Sequence, residues 1–367
     1  MLFILPIFVI PSYWCGREVD VFWARKGQAL KPFARAVIAL IKKGTPSQSI
    51  KTGHWQYDGE WQFGSYQMAG LGFIQFIKLY PEMKDGYQPF IEFTIDNLLK
   101  KEIREFDTRS WNEDALENLD SFEGHAGYLG YLNLLLSLYR TIKPDSKFNT
   151  LNEKITEGFI RILEGSDIKL IETYPNETYP VDNAAVIASI GVYDRVAGKD
   201  HSELLQKCYK KFEETYREPV SGLLFQSVDF STGKPVDKPR GSGTALAAYF
   251  FSFANKELSY KLFTSLKKSC ARKIFGLGYI REYPINVAGG WGDIDSGPVI
   301  FGAGVSTTGF TLPLALIHKD KLLFTELFRT ATLVGWPVAS DEKWFFAIGG
   351  PLGNAIMFAM LSAGENG

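Results

Sequence analysis

The sequence predicts an all-α fold in which six helical hairpins form one closed ring. Two patterns carry this prediction: apolar segments rich in small residues recur along the chain, and charged segments with helical spacing of apolar residues lie between them. The apolar segments recur at intervals of 54 to 63 residues, and they begin near Trp61, Gly124, Val181, Gly241, Gly297 and Pro351. Six copies at so regular an interval indicate one repeated structural unit.

The charged segments are predicted to be outer helices. Their apolar residues recur every three to four positions, as Leu205, Cys208 and Phe212 do, which marks one helix face that packs against the protein. The six outer helices are expected over residues 31–43, 88–106, 151–164, 202–217, 256–273 and 320–335.

The apolar segments are predicted to be inner helices, because they are hydrophobic or small on nearly all sides, as a helix buried in a bundle is. Gly302, Gly304 and Gly309 lower the helix propensity of the fifth segment, which fits a helix that packs closely on its neighbours. Six inner helices surrounded by six outer helices make an (α/α)6 toroid.

The chain is predicted to comprise an N-terminal apolar segment, residues 1–25, and a single toroid domain, residues 26–367, which no linker-like stretch interrupts. The start has the length of a signal-peptide core, but it lacks a basic n-region and a small-residue cleavage site. We therefore expect it to pack on the toroid or to be the remnant of a longer N-terminus. The alternative is export or membrane contact through this segment, which leaves a cytoplasmic and an exported location both open.

Composition and motifs exclude several classes of function. The net charge of −1 gives no basic excess for a nucleic-acid partner. The four histidines and three cysteines are scattered without metal-type spacing, so no metal site is expected. The sequence contains no Walker loop, no GxGxxG after a strand and no GxSxG elbow, so no cofactor is expected.

The long segments that precede the inner helices are predicted to form the functional end of the ring. Residues 106–123, 219–240 and 274–296 are examples, and short β-hairpins are expected in some of them, with a turn at Gly233 between residues 222–227 and 230–236. One such segment precedes each of the six inner helices, so the six segments are expected to converge on one funnel at the same end of the ring. We expect a small-molecule substrate there.

The candidate catalytic residues are Asp293, Asp182 and His125. Sugar hydrolysis or elimination needs a proton donor and a carboxylate base, so Asp293 and Asp182 are the expected pair, and His125, which titrates near neutrality, is the alternative to either. The expected substrate-binding residues are Trp55, Tyr57, Glu60, Trp61, Glu123, Tyr128, Tyr179, Asn183, Arg240, Ser242, Trp291, Asp295 and Asn354.

Each candidate also has a structural interpretation. Asp182, or Asp295 with Ser296, is equally expected to cap a helix, with Pro298 in the first turn behind such a cap. Arg240 is placed to bind a substrate carboxylate or to pair with an acidic residue of the rim. A single histidine is more often structural than catalytic, and aromatic residues such as Trp61 pack in cores as often as they stack on sugars.

The six hairpins with aromatic and acidic motifs resemble the six-hairpin α/α-toroid superfamily of glycosidases, sugar epimerases and uronyl-processing enzymes. The segments GHAGYLGYLNL, YPVDNAA and GDIDSGPVIFGAGVSTTGF are also similar to the linalool dehydratase/isomerase type of toroid. The resemblance extends from Lys31 to Ala363. It implies acid/base catalysis on a carbohydrate or uronic-acid-like substrate, by a glycoside hydrolase, epimerase or lyase. The alternatives are a hydro-lyase acting on a small alcohol and a toroid that only binds a ligand.

Overall fold

The computed structural model describes residues 11–24, 29–44, 52–290, 292, 296–340 and 342–364. Their helices form the predicted all-α toroid. After a short helix α1 (Val19–Trp23), the outer helices are α2 (Leu30–Lys42), α4 (Lys84–Leu98) with α5 (Lys101–Trp111), α7 (Asn149–Gly165), α9 (Ser202–Glu214), α11 (Lys256–Cys270) and α13 (Lys321–Gly335). The inner helices are α3 (Trp55–Leu79), α6 (Tyr131–Arg140), α8 (Pro180–Ala197), α10 (Gly241–Phe251), α12 (Val305–Ile317) and α14 (Gly350–Ser362).

The inner helices close the ring. Each one packs on the next along the chain, and α14 packs on α3. Small residues bring α3 close to both of its neighbours: a Cβ on Gly72 would lie 2.4 Å from the Phe358 ring, and one on Gly70 would lie 2.9 Å from Leu135. Small residues of an inner segment therefore permit close helix packing. The structure shows this packing at α3, whereas the sequence predicted it for the fifth inner segment.

The fifth inner helix begins eight residues later than the sequence predicts. Residues Val299–Ile300 (β3) pair with Ala303–Gly304 (β4), and α12 begins only at Val305 with Gly304 as its N-cap. Gly302 has a φ of +84° in the turn between these strands, where a helical conformation is excluded. Pro298 consequently lies before the hairpin rather than in the first turn of a helix. Ser296 does not cap α12, since its hydroxyl donates to the Gly297 carbonyl.

Other boundaries differ by a few residues. The second outer segment is two helices, α4 and α5, because Lys100 between them has an extended backbone. The first inner helix begins at Trp55 rather than near Trp61. A π-helical turn, Ala126–Gly130, precedes α6 and supplies the start of the second inner segment.

Short hairpins occupy the rim, as predicted. Two more two-stranded antiparallel sheets join β1 (Ala271–Ile274) to β2 (Leu277–Ile280) and β5 (Pro337–Ala339) to β6 (Trp344–Phe346). The hairpin predicted around Gly233 has only isolated bridges, including Val228 to Pro235, but Gly233 does adopt the positive φ of a turn, +68°.

The described part of the N-terminal segment, residues 11–24, packs on the last hairpin of the ring. The Phe22 ring lies 5.1 Å from that of Phe328 and 5.2 Å from that of Trp344, and the Trp344 indole donates to Glu18. No helix in the described part of the chain has both the length and the apolar character needed to cross a bilayer. The division at residue 25 stays a prediction.

Candidate functional site

A cavity of about 230 Å³ lies where the inner helices begin. All six of these helices contribute to it, α6, α8, α10 and α14 through residues in their first turns and α3 and α12 through residues further along, so the predicted funnel is present. The lining residues are Glu60, Trp61, Phe63, Gly64, Gln67, Met68, Phe106, Gly127, Tyr131, Thr173, Tyr174, Tyr179, Val181, Asp182, Gln226, Ser242, Gly243, Leu246, Phe310, Leu352 and Ile356.

Asp182, in the first turn of α8, lines the cavity, and two hydroxyl groups fix the position of its carboxylate. Its Oδ1 accepts a hydrogen bond from the Tyr131 hydroxyl at 2.8 Å, and its Oδ2 accepts one from the Thr173 hydroxyl at 2.9 Å. Burial raises the pKa of Asp182 to about 6, although both hydrogen bonds lower it. The capping interpretation is wrong for Asp182, because the N-cap of α8 is Tyr179 and both carboxylate oxygens bind side chains.

Glu60 is the second carboxylate in the cavity. Its Oε1 accepts a short hydrogen bond from the Tyr174 hydroxyl and another from Gln56 at 3.2 Å. Burial, together with the charge of Glu60, raises the pKa of Tyr174 well above its usual value, so this phenol stays protonated as a donor. Since Thr173 and Tyr174 are consecutive, one short turn holds both Glu60 and Asp182.

His125 lies behind the cavity and is not one of the residues that line it. It is 1% exposed, and its Nδ1 lies 2.7 Å from Oδ2 of Asp107, which is equally buried. The ring lies 4.6 Å from that of Trp111, and its backbone carbonyl accepts from the amide of Leu129 in the π-helical turn. Burial raises the pKa of Asp107. The arrangement favours the structural interpretation of His125.

Arg240 pairs with an acidic residue of the protein itself. Its Nε lies 3.1 Å from Oε1 of Glu282, and both side chains are buried. Glu282 also accepts hydrogen bonds from Ser242 at 2.6 Å and from Thr307, so it joins the starts of α10 and α12. Of the two roles predicted for Arg240, the structure shows the ion pair with an acidic residue of the rim. Sequence reasoning missed Glu282, which stands in no periodic pattern or motif.

Asn183 and Asn354 are structural rather than substrate-binding. The Asn183 amide binds both the N–H and the carbonyl of Ile171, at 2.7 and 2.9 Å, and the carbonyl of Tyr179. The Asn354 amide binds Phe346 in the same way, with both distances at 2.9 Å. Each asparagine therefore fastens an incoming rim segment to its inner helix, and neither lines the cavity.

The other predicted binding residues either line the cavity, lie away from it or fall outside the described residues. Glu60, Trp61, Tyr179 and Ser242 line the cavity with Asp182. Tyr128 is fully buried and donates to the Leu98 carbonyl, whereas Trp55, Tyr57 and Glu123 are not among the lining residues. The Arg109 guanidinium stacks on Trp55, 4.0 Å from the ring centre. The predictions for Trp291, Asp293 and Asp295 fall outside the described residues.

Sequence reasoning also missed Tyr131, Thr173, Tyr174, Gln67 and Gln226. Gln67 had a detectable signature, because an amide in a mostly apolar inner segment is a polar group that the fold buries. The others depend on which helices and rim segments meet in space. Across the described chain, no group of three or more His, Cys, Asp or Glu side chains is placed to hold a metal ion.

Comparisons with known proteins bear on the fold. No protein-family model and no curated protein matches the sequence. A family 105 glycoside hydrolase from C. acetobutylicum ATCC 824 has a TM-score of 0.57 at 12% identity, over 92% of this chain and 99% of that one. The family 76 α-1,6-mannanase of Salegentibacter sp. HEL1_6 has a TM-score of 0.54 at 12% identity, over 91% and 97%.

An inactive variant of that mannanase, with two aspartates changed to alanine, is in complex with α-1,6-mannotetrose; it has a TM-score of 0.51 at 13% identity, over 91% and 98% of the two chains. At these identities the similarity concerns the fold. The chain therefore has the six-hairpin α/α-toroid fold that these glycoside hydrolases share.

Proposed function

We propose that the chain is an enzyme that cleaves carbohydrates, with Asp182 as the group that donates a proton to the departing oxygen. The setting of Asp182 carries this proposal: it lines the cavity, two hydroxyl groups orient it, and burial raises its pKa to about 6. A carboxyl group with such a pKa stays partly protonated at mildly acidic pH, as a general acid must.

Glu60 is the proposed partner of Asp182. Cleavage of a glycosidic bond uses a proton donor and a second carboxylate that serves as base or nucleophile. Glu60 lines the same cavity and is oriented by Tyr174, next in sequence to the residue that orients Asp182. The two carboxylates also have different surroundings, which is how an acid and a base are kept distinct.

The remaining lining suits one sugar unit. Aromatic side chains, Trp61, Phe106, Tyr179 and Phe310 among them, offer flat apolar surfaces for the C–H faces of a sugar ring. The volume of about 230 Å³ lies below the range of about 300–1,000 Å³ that is usual for drug-sized ligands. The cavity would therefore take a single ring, with the rest of a longer chain outside it.

The solved structures with this fold support the proposal, because they are glycoside hydrolases, one of them in complex with an oligosaccharide. The two alternatives have less support. A hydro-lyase of the linalool type is associated with cysteines in its cavity, and none of Cys15, Cys208 and Cys270 is among the described lining residues. A toroid that only binds its ligand does not account for the orientation of two carboxylates.

A substrate panel tests the proposal. Wild type, Asp182→Asn and Asp96→Asn are assayed for release of reducing ends from oligosaccharides and of phenols from aryl glycosides. Asp96 is an exposed carboxylate on α4 that pairs with Lys147, so Asp96→Asn controls for loss of an acidic group. We expect cleavage by wild type and Asp96→Asn only. Equal activity of Asp182→Asn, or no cleavage of any carbohydrate by wild type, would contradict the proposal.

A further inference from the structure

Gln67 is a buried amide whose hydrogen-bonding capacity the described protein does not use. Its side chain is completely buried, and neither Nε2 nor Oε1 has a hydrogen-bond partner among the described residues. It lies on α3 seven residues after Glu60, about 10 Å further along the same helix face, and it lines the cavity. An unsatisfied buried amide destabilises the protein, so a ligand that satisfies it gains affinity.

Gln226 adds a second such group from a different element. It lies on the rim segment before α10 and lines the same cavity, and its buried Oε1 has no hydrogen-bond partner among the described residues. Gly243 leaves room for this amide, because a Cβ there would lie 3.2 Å from the Gln226 Oε1. Gln67 and Gln226 thus present two amide oxygens that require donors, and Gln67 adds one amide NH2 group that requires acceptors.

The charged groups that line the cavity indicate which ligand charge it disfavours. The described lining contains the carboxylates of Glu60 and Asp182 and includes no lysine, arginine or histidine. The nearby guanidinium of Arg240 is paired with Glu282. An anionic ligand would therefore meet like charge without a compensating cation in the described wall.

We propose that Gln67 and Gln226 select a neutral, hydroxyl-bearing sugar and disfavour a uronic acid. A hydroxyl group both donates and accepts, so it satisfies an amide oxygen and an amide N–H alike, whereas a carboxylate at the same position only accepts and leaves the amide oxygen that it faces without a donor. This inference rests on the proposed function and narrows its substrate class, which the sequence left open between neutral sugars and uronic acids.

The substrate class also decides the reaction. Elimination requires a carbon made acidic by a neighbouring carboxyl group, which a neutral sugar lacks, so the bond is cleaved by hydrolysis. The bond between the anomeric carbon and the bridging oxygen breaks, and the proton of Asp182 passes to that oxygen. The oxygen of a water molecule bonds to the anomeric carbon, and a proton of that water passes to a carboxylate.

The test measures binding of free monosaccharides, which contain no bond to cleave. Neutral hexoses and the hexuronates of matching stereochemistry are titrated into wild type, Gln67→Met, Gln67→Glu and Gln206→Met, with saturation-transfer NMR and calorimetry as the readouts. Gln206 is an exposed glutamine on α9 and serves as the matched control. Thermal unfolding of each variant is measured in parallel, because a structural role for Gln67 would appear there.

We expect wild type and Gln206→Met to bind at least one neutral hexose more tightly than its hexuronate. Gln67→Met should weaken hexose binding about 5- to 15-fold, the equivalent of one or two hydrogen bonds. Its melting temperature should stay equal or rise, because an unsatisfied amide is removed. Gln67→Glu should weaken hexuronate binding more than hexose binding, since a third carboxylate repels an anion.

Three results would overturn the inference: equal or tighter binding of hexuronates, unchanged hexose affinity in Gln67→Met, or no hexose binding by wild type. Failure of the proposed function would look different. Gln67-dependent hexose binding without any cleavage of oligosaccharides would refute catalysis and leave the binding inference intact. Asp182-dependent cleavage of uronides would refute the substrate class alone.

Discussion

The carboxylate of Asp182 lies 2.8 Å from the hydroxyl of Tyr131, across two neighbouring inner helices. The hydroxyl orients the carboxylate and, as a donor to its charged form, lowers the pKa that burial raises. Burial therefore dominates the protonation of Asp182, and the contact between α6 and α8 opposes it.

Tyr131→Phe should move the alkaline limit of activity to higher pH. Without the hydroxyl, the charged form of Asp182 loses a donor and its pKa rises above about 6. Loss of one hydrogen bond corresponds to about 0.5 to 1 pH unit. The measurement is kcat/KM against pH. Tyr179→Phe is the control, since Tyr179 also lines the cavity but donates to Glu177. A limit that stays in place or falls would contradict the assignment.

Asp182 should also make folding stability depend on pH. Its pKa in the folded state, about 6, exceeds the ordinary value of 3.8, so the folded protein retains a proton that the unfolded chain releases. The free energy of unfolding should therefore fall as pH rises from about 4 to 6. Relative to Asp182→Asn, wild type should lose about 2–3 kcal/mol between pH 4 and pH 8. Urea unfolding of both proteins measures this, and parallel pH curves would refute it.

His125→Ala should destabilise the protein more than it impairs turnover. The substitution leaves the carboxylate of Asp107 buried without its partner, a loss of about 3–5 kcal/mol. His201→Ala, which breaks the more exposed pair with Asp194, should cost less. Chemical unfolding and kcat per folded molecule separate the two effects. A large fall in kcat at unchanged stability would instead assign His125 to the chemistry.

Asn183→Leu and Asn354→Leu should destabilise the protein by similar amounts. Each removes two buried hydrogen bonds and one partly buried hydrogen bond and leaves the backbone of a rim segment unsatisfied, which together cost about 3 kcal/mol or more. Asn149→Leu, which removes one exposed hydrogen bond, is the control. Urea unfolding supplies the comparison. A loss no greater than that of the control would show that these amides do not hold the rim.

The architecture was predictable because two patterns in the sequence specify it. The repeat interval and the contrast between amphipathic and uniformly apolar segments are visible in one sequence, and they were sufficient for the toroid. The late start of α12 was not predictable from the sequence. Residues 299–304 are as apolar and glycine-rich as a buried helix, and they nevertheless pair as a hairpin. Short apolar runs of this kind do not distinguish strand from helix.

The candidate site was predictable in position and less so in its members. Asp182, Glu60 and Ser242 were predicted because they occur where inner helices begin, and all three line the cavity. Asn183 and Asn354 occur there too, and only the structure separates an amide that holds backbone from one that faces a ligand. Thr173 and Tyr174 were missed, since their role depends on a turn that meets two inner helices in space.

The central claim is that Asp182 protonates the departing oxygen, and a series of neutral glycosides with different leaving groups tests it most directly. A poor alcohol leaving group needs the proton, whereas a nitrophenol departs without it. We predict that Asp182→Asn lowers kcat/KM about 10²- to 10⁴-fold on glycosides with alcohol leaving groups and far less on nitrophenyl glycosides. An equal loss across the series, or no loss on the alcohol glycosides, would contradict the account.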